Sequence, residues 1–209
     1  MSSKASAAVA ASGQYGRLWA RGHETCGKEY RRILSVEGKG SIAYLQGLVT
    51  CDLKTDDPAQ PRREIIKSLD DSTAGAVVTS SLLRAACFLD QRGRLLTDAL
   101  LWKPPQELLK EGQTEQLYID VPADSCETLL HHLRQYKVGR STKNVRIRDA
   151  TEEEASVHVI HGTLNAQNPP NGFIAAVDPR HPSLGLRLLQ LSSSLSHEER
   201  KQNFESLVE

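Results

Sequence analysis

Residues 84–103 restrict the possible folds more than any other stretch of the chain. Arg84 to Asp90 and Arg94 to Lys103 are two largely apolar, strand-like runs separated by Gln91-Arg92-Gly93. A three-residue connection ending in glycine fits a hairpin, because glycine adopts a positive φ without steric cost. Pro104-Pro105 ends the second run. Strands joined this tightly are antiparallel, so the sheet that contains them cannot be the all-parallel sheet of a doubly wound fold.

The flanking segments extend this pattern. Arg31 to Val36 reads as a strand, and Gly38-Lys39-Gly40 breaks it. Ser41 is then placed to cap a helix whose apolar face is Ile42, Leu45, Leu48 and Val49. Lys54 to Gly75 is polar and reads as a long surface loop with no assignable role. Gln116 to Val121 is another strand. Asp124 and Glu127 stand as N-cap and N3 of a helix with Leu129, Leu130, Leu133 and Tyr136 as its buried stripe. Val145 and Ile147 alternate with Arg146 and Arg148, a half-buried strand. Val157 to Ile160, Phe173 to Val177 and Leu186 to Leu191 complete the strands, and a Ser196/Glu199 capping box opens a helix to Glu209. The fold class is therefore α+β, with antiparallel sheets and a few helices.

Charge and motif content exclude several kinds of chemistry. Lys plus Arg balances Asp plus Glu at 26 each, so no global field draws the chain to nucleic acid or an anionic membrane. No apolar run approaches the roughly 20 residues of a membrane-spanning helix. Cys26, Cys51, Cys87 and Cys126 form no Cys-x-x-Cys pair, and neither His131/His132 nor His158/His161 has ligand spacing, so no metal site is expected. Gly38-Lys39 is not a phosphate loop, because Ile33 and Gly40 stand where Gly and Ser or Thr are required. No Gly-x-Gly-x-x-Gly or Gly-x-Ser-x-Gly is present, and no catalytic residue is assigned. From Met1 to His23 there is no acidic residue, while Lys4, Arg17 and Arg21 lie among Ala and Ser. This is the composition of an organellar transit peptide over residues 1–29, with the folded domain at 30–209.

Asp98 stands out. It lies mid-strand on the face shared by Leu96, Leu100 and Trp102, where a carboxylate is costly unless paired or hydrogen-bonded. Two partners fit: an amine or ring nitrogen of a ligand, or an arginine from a neighbouring strand such as Arg187.

Several short motifs, in order, are similar to one family. Val36-Glu37-Gly38, then Ile42-x-Tyr44-Leu45-Gln46-Gly47-Leu48-Val49-Thr50-Cys51-Asp52-Leu53, resembles the opening strand and helix of the YgfZ-type, glycine-cleavage-T-like family. Leu89-Asp90-x-x-Gly93-Arg94-x-Leu96-x-Asp98 resembles its hairpin, and Tyr118 to Asp149 follows in the expected order. Asp178-Pro179-Arg180 and Leu184-Gly185-Leu186-Arg187 resemble the element before the family's third part. The resemblance implies an aminomethyltransferase-like fold that holds a reduced folate, tetrahydrofolate, with Asp98 and Arg187 as folate-binding residues. Thr97-Asp98 replaces the paired Asp of the aminomethyltransferases, which favours the branch that matures mitochondrial [4Fe–4S] proteins in the matrix with A-type iron–sulfur scaffold proteins. The rival readings are an aminomethyltransferase (T protein) of the glycine cleavage system and a partial domain acting only as a binding surface. The branch's Lys-Gly-Cys-Tyr-x-Gly-Gln-Glu segment and C-terminal barrel do not occur within the 209 residues, so the resemblance implies an incomplete member.

Overall fold

A computed structural model describes residues 30–54, 82–105, 109, 115–150, 155–160, 173–181, 184 and 186–191. The expected transit peptide, the 54–75 loop beyond Lys54 and the 196–209 helix lie outside the described residues.

In chain order the elements are β1 (Arg31–Glu37), α1 (Ser41–Gln46), β2 (Leu83–Leu89), β3 (Leu95–Trp102), β4 (Gln116–Pro122), α2 (Ala123–Gln135), a 3-10 turn (Arg140–Thr142), β5 (Arg146–Asp149), β6 (Ala155–Ile160), β7 (Phe173–Val177) and β8 (Leu186–Leu191). The first five strands form one sheet in the order β2-β3-β4-β1-β5, and the last three form a second in the order β6-β8-β7. Every strand pairing is antiparallel. The expected α+β class is therefore observed.

The expected hairpin forms as β2 and β3, with Gly93 at φ 74°. Asp90 organises the turn: its Oδ1 accepts the backbone N–H groups of Arg92 and Arg94, both at 2.8 Å.

Two apolar clusters divide the molecule into three layers. One face of the larger sheet (Leu34, Val36, Phe88, Leu101, Ile119) packs against Leu129, Leu130 and Leu133 of α2 and Tyr44 and Leu45 of α1. The opposite face (Ile33, Leu100, Trp102, Tyr118) packs against Val157, Ile174 and Leu189 of the smaller sheet. Period-2 alternation cannot be read by eye in β3 or β4 because both faces are covered.

The helix starts differ from expectation. Ser41 is the first residue of α1 rather than its cap; Gly40 holds the N-cap position at φ 93° with no side-chain cap of its own. Glu115 supplies that role instead, its Oε2 accepting the backbone N–H groups of Gly40 and Ile42, each at 3.1 Å. Asp124 likewise does not cap α2: Pro122 is the N-cap, and Asp124 lies inside the first turn. There its charge still suits the positive end of the helix. Glu127 pairs with Arg32 at 2.9 Å instead of closing a capping box.

Candidate functional site

The sheet face that meets the smaller sheet buries a carboxylate at its β1–β4 centre. Asp120 of β4 is in register with Ile33 of β1 and Leu100 of β3, and it is fully buried. A carboxylate in such a place requires charged hydrogen-bond partners. Arg31 provides them from β1, its Nε donating to Asp120 Oδ1 at 2.6 Å and its Nη2 to the Asp120 carbonyl at 2.9 Å.

The facing sheet supplies the rest. Arg187, on the inward face of β8 with Leu189, brings Nη1 to 3.5 Å from Asp120 Oδ2. Its Nε donates to Asp178 Oδ2 at 2.7 Å. Asp178 directly follows β7 and also accepts from Arg180: Nε at 3.0 Å to Oδ1 and Nη2 at 2.8 Å to Oδ2. The Arg180 guanidinium thus spends two of its N–H groups inward in the bidentate geometry that arginine favours. Its Nη1 reaches Asp98 Oδ2 at 3.7 Å.

These contacts make one series of alternating sign: Arg31, Asp120, Arg187, Asp178, Arg180, Asp98. Three cations balance three anions, so burial leaves no net charge stranded. The middle of the series is buried and its Asp98 end is the most exposed; Arg31, at the other end, is 19% exposed. The Asp120 and Asp178 side chains are 0% exposed and Arg187 10%, whereas Arg180 is 33% and Asp98 53% exposed. Burial alone would push the Asp178 carboxyl up; the hydrogen bonds from Arg180 and Arg187 outweigh it and hold the carboxyl at about 2. Arg180 is in turn pushed up, first by its hydrogen bond to Asp178 and further by the charges of Asp98 and Asp120.

Asp98 and Arg187 therefore belong to one network, but not as a direct pair, which was one of the two partnerships open to Asp98. Asp98 is half-exposed and its ion partner is Arg180; the buried carboxylate that Arg187 neutralises is Asp120. The reason is strand length. β4 pairs with β3 only from Leu100 to Trp102, so Asp98 lies past the paired segment, at the rim of the space between the sheets. The same signal that drew attention to Asp98 stands in Tyr118-Ile119-Asp120-Val121, an acid within an apolar strand. Asp178 and Arg180 carried no signal beyond their place in a family motif, because their partners are brought close only by the packing of the sheets.

A second buried polar group lies on the outward face of the smaller sheet. Ser156 Oγ is 3.1 Å from His158 Nε2 and donates to Gln190 Oε1 at 3.2 Å. The trio ties β6 to β8 across the strands.

No family model matches the chain. Among curated proteins, the mitochondrial iron–sulfur cluster assembly factor IBA57 homologue of Pyricularia oryzae is 30% identical over 161 residues, 76% of this chain and 33% of that protein. The chain is similar to mitochondrial IBA57 homologues over about three quarters of its own length. The homologue of Neurospora crassa is 29% identical over 78% of this chain and 34% of its own length, and that of Mycosarcoma maydis 25% identical over 76% and 34%. The chain thus spans about a third of the length of the IBA57 homologues it matches. Among solved structures, aminomethyltransferase T of the glycine cleavage system from Bartonella henselae has a TM-score of 0.48 and 11% identity, over 78% of this chain and 40% of that one. A likeness that loose does not bear on function.

Proposed function

We propose that this chain supplies the folate-binding part of a folate-dependent assembly factor that matures [4Fe–4S] proteins in the mitochondrial matrix, acting with A-type iron–sulfur scaffold proteins. The likeness to IBA57 homologues over three quarters of the chain carries the reading. The acid-free, Arg- and Ser-containing stretch before Glu24 supports the mitochondrial part of it.

The network between the sheets fits a ligand with mixed hydrogen-bonding edges. Asp98 offers an exposed carboxylate that accepts from a ring N–H or amine, beside an Arg180 guanidinium already fixed by Asp178. Donor and acceptor side by side on a rigid base are what a reduced folate ring requires for orientation. Arg187 is buried between two carboxylates, so its contribution is to hold Asp178 and Asp120 rather than to touch a ligand.

The test uses cells lacking the assembly factor. Met1–Glu209 is joined in frame to the remaining C-terminal portion of the Neurospora crassa homologue, and [4Fe–4S] enzyme activity in isolated mitochondria is measured. Restored activity is the expected result, reduced to near background by Asp98→Asn. A fusion that accumulates in mitochondria yet restores nothing contradicts the reading.

A further inference from the structure

From Thr128 to Arg148 the chain carries six Lys or Arg residues and no Asp or Glu, although the whole chain has 26 acids in 209 residues. The structure gathers these cations at one corner. The chain leaves α2, turns through Val138 and Gly139 (φ 96°), passes the Arg140–Thr142 turn and enters the outermost strand, β5. Lys39 joins from the β1–α1 connection. A Cβ on Gly38 would stand 2.1 Å from the Asn144 carbonyl oxygen and one on Gly40 3.2 Å from that of Ser141, so Lys39 is held against this turn.

Lys39, Lys137, Arg140, Lys143 and Arg146 are all exposed, and none forms an ion pair with any described residue. Arg148, the next outward residue of β5, is paired with Glu37 at 3.2 Å. A face built only for solubility interleaves both signs, because a run of like charge repels itself. Protection of an open sheet edge explains Arg146, which lies on β5, but not the four cations that lie on turns. Val138, between Lys137 and the Arg140 turn, is 75% exposed.

We propose that this corner is a docking surface for an acidic segment of a partner protein, with the cations meeting its carboxylates and Val138 making the apolar contact. The surface is separate from the network between the sheets. Arg146 lies in backbone register with Glu37 at one end of β1, and Arg31 stands at the other, about 20 Å away at 3.3 Å per residue. Nucleic acid is the poorer fit, because Tyr136, the aromatic adjacent to Lys137 in the chain, is half-buried against His132 and the chain has no net charge. A lone valine is too little apolar surface to anchor a membrane.

The test measures fluorescence anisotropy of a labelled peptide, Glu- and Asp-rich with interspersed Leu, against the 209-residue chain at low and high sodium chloride. Lys137→Glu/Arg140→Glu/Lys143→Glu should weaken binding about tenfold or more at low salt and flatten its salt dependence. Val138→Asp should weaken the binding that persists at high salt. A matched variant elsewhere, Lys54→Glu/Arg92→Glu/Arg94→Glu, changes net charge equally and should leave binding within about twofold of wild type. All variants are exposed, and unchanged melting curves confirm that they fold. Equal loss in the matched variant, no binding by wild type, or tighter binding of a single-stranded oligonucleotide or phosphatidylserine vesicles would each overturn the proposal.

Discussion

Asp98 and Asp120 sit on the same sheet face, yet substitution should affect stability to very different extents. Asp120 is fully buried between Arg31 and Arg187. Asp120→Asn leaves Arg31 without its counter-charge and Arg187 with Asp178 alone, and breaking a buried pair from one side costs about 3–5 kcal/mol. Chemical denaturation should show a loss of that size, smaller in the Asp120→Asn/Arg187→Met double variant, in which two cations again balance two anions. Asp98 is half-exposed, with its ion contact at 3.7 Å, so Asp98→Asn should leave unfolding within about 1 kcal/mol of wild type. Asp178 gives the network a pH signature. Its folded value is depressed from 3.8 to about 2, so the unfolded chain binds the proton first as pH falls. Its stabilisation, about 2 kcal/mol by linkage, is complete above the unfolded value and disappears as pH falls through the folded one. The acid limb of a stability–pH curve should flatten in Asp178→Asn. An unchanged limb means that Asp178 does not carry the acid sensitivity.

Among the elements, the β1–α1 connection tolerates change least. Gly38 combines φ 105° with a Cβ position 2.1 Å from a backbone oxygen, so strain and collision coincide. Gly38→Ala should lower the melting temperature by several degrees more than Gly139→Ala, whose added Cβ meets nothing within 4 Å. Helix α2 contains a different liability. His132 is buried against Tyr136, and its Nε2 has no hydrogen-bond partner among the described residues. Burial pushes the imidazole down, only partly opposed by the charge of Asp90, so the fold keeps it neutral where the unfolded chain protonates. Stability is then complete above about 6.5 and falls as pH drops below it. His132→Leu should remove that decline, as read from melts across the pH range.

The strands of the larger sheet and the Leu129–Leu133 stripe were legible in the sequence because local spacing dictates them. The helix starts were not, because α1 is capped by Glu115, which lies 75 positions from Gly40. The candidate site was half legible. The sheet face of Asp98 follows from alternation, but its exposure depends on where β4 stops pairing, and the Arg187–Asp120 contact depends on how two sheets stack.

At the scale of the whole molecule, the three layers give the network its character. The larger sheet contributes Arg31, Asp120 and Asp98, the smaller sheet and the residues after β7 contribute Arg187, Asp178 and Arg180, and Asp98 is the most exposed member. If residues 1–29 direct import, as proposed, a reporter carrying Met1–Glu29 should enter mitochondria, and Arg17→Glu/Arg21→Glu should keep it in the cytosol. We propose that the rim of the network is a ligand site whose outward end is Asp98. Heteronuclear NMR titration with tetrahydrofolate tests it most directly, since weak binding still perturbs local signals. Shifts are expected to concentrate at Asp98, Arg180 and their strand neighbours, and to be abolished by Asp98→Asn in a protein that remains folded. Shifts confined to other surfaces, or a titration of the same size in Asp98→Asn, would contradict the claim.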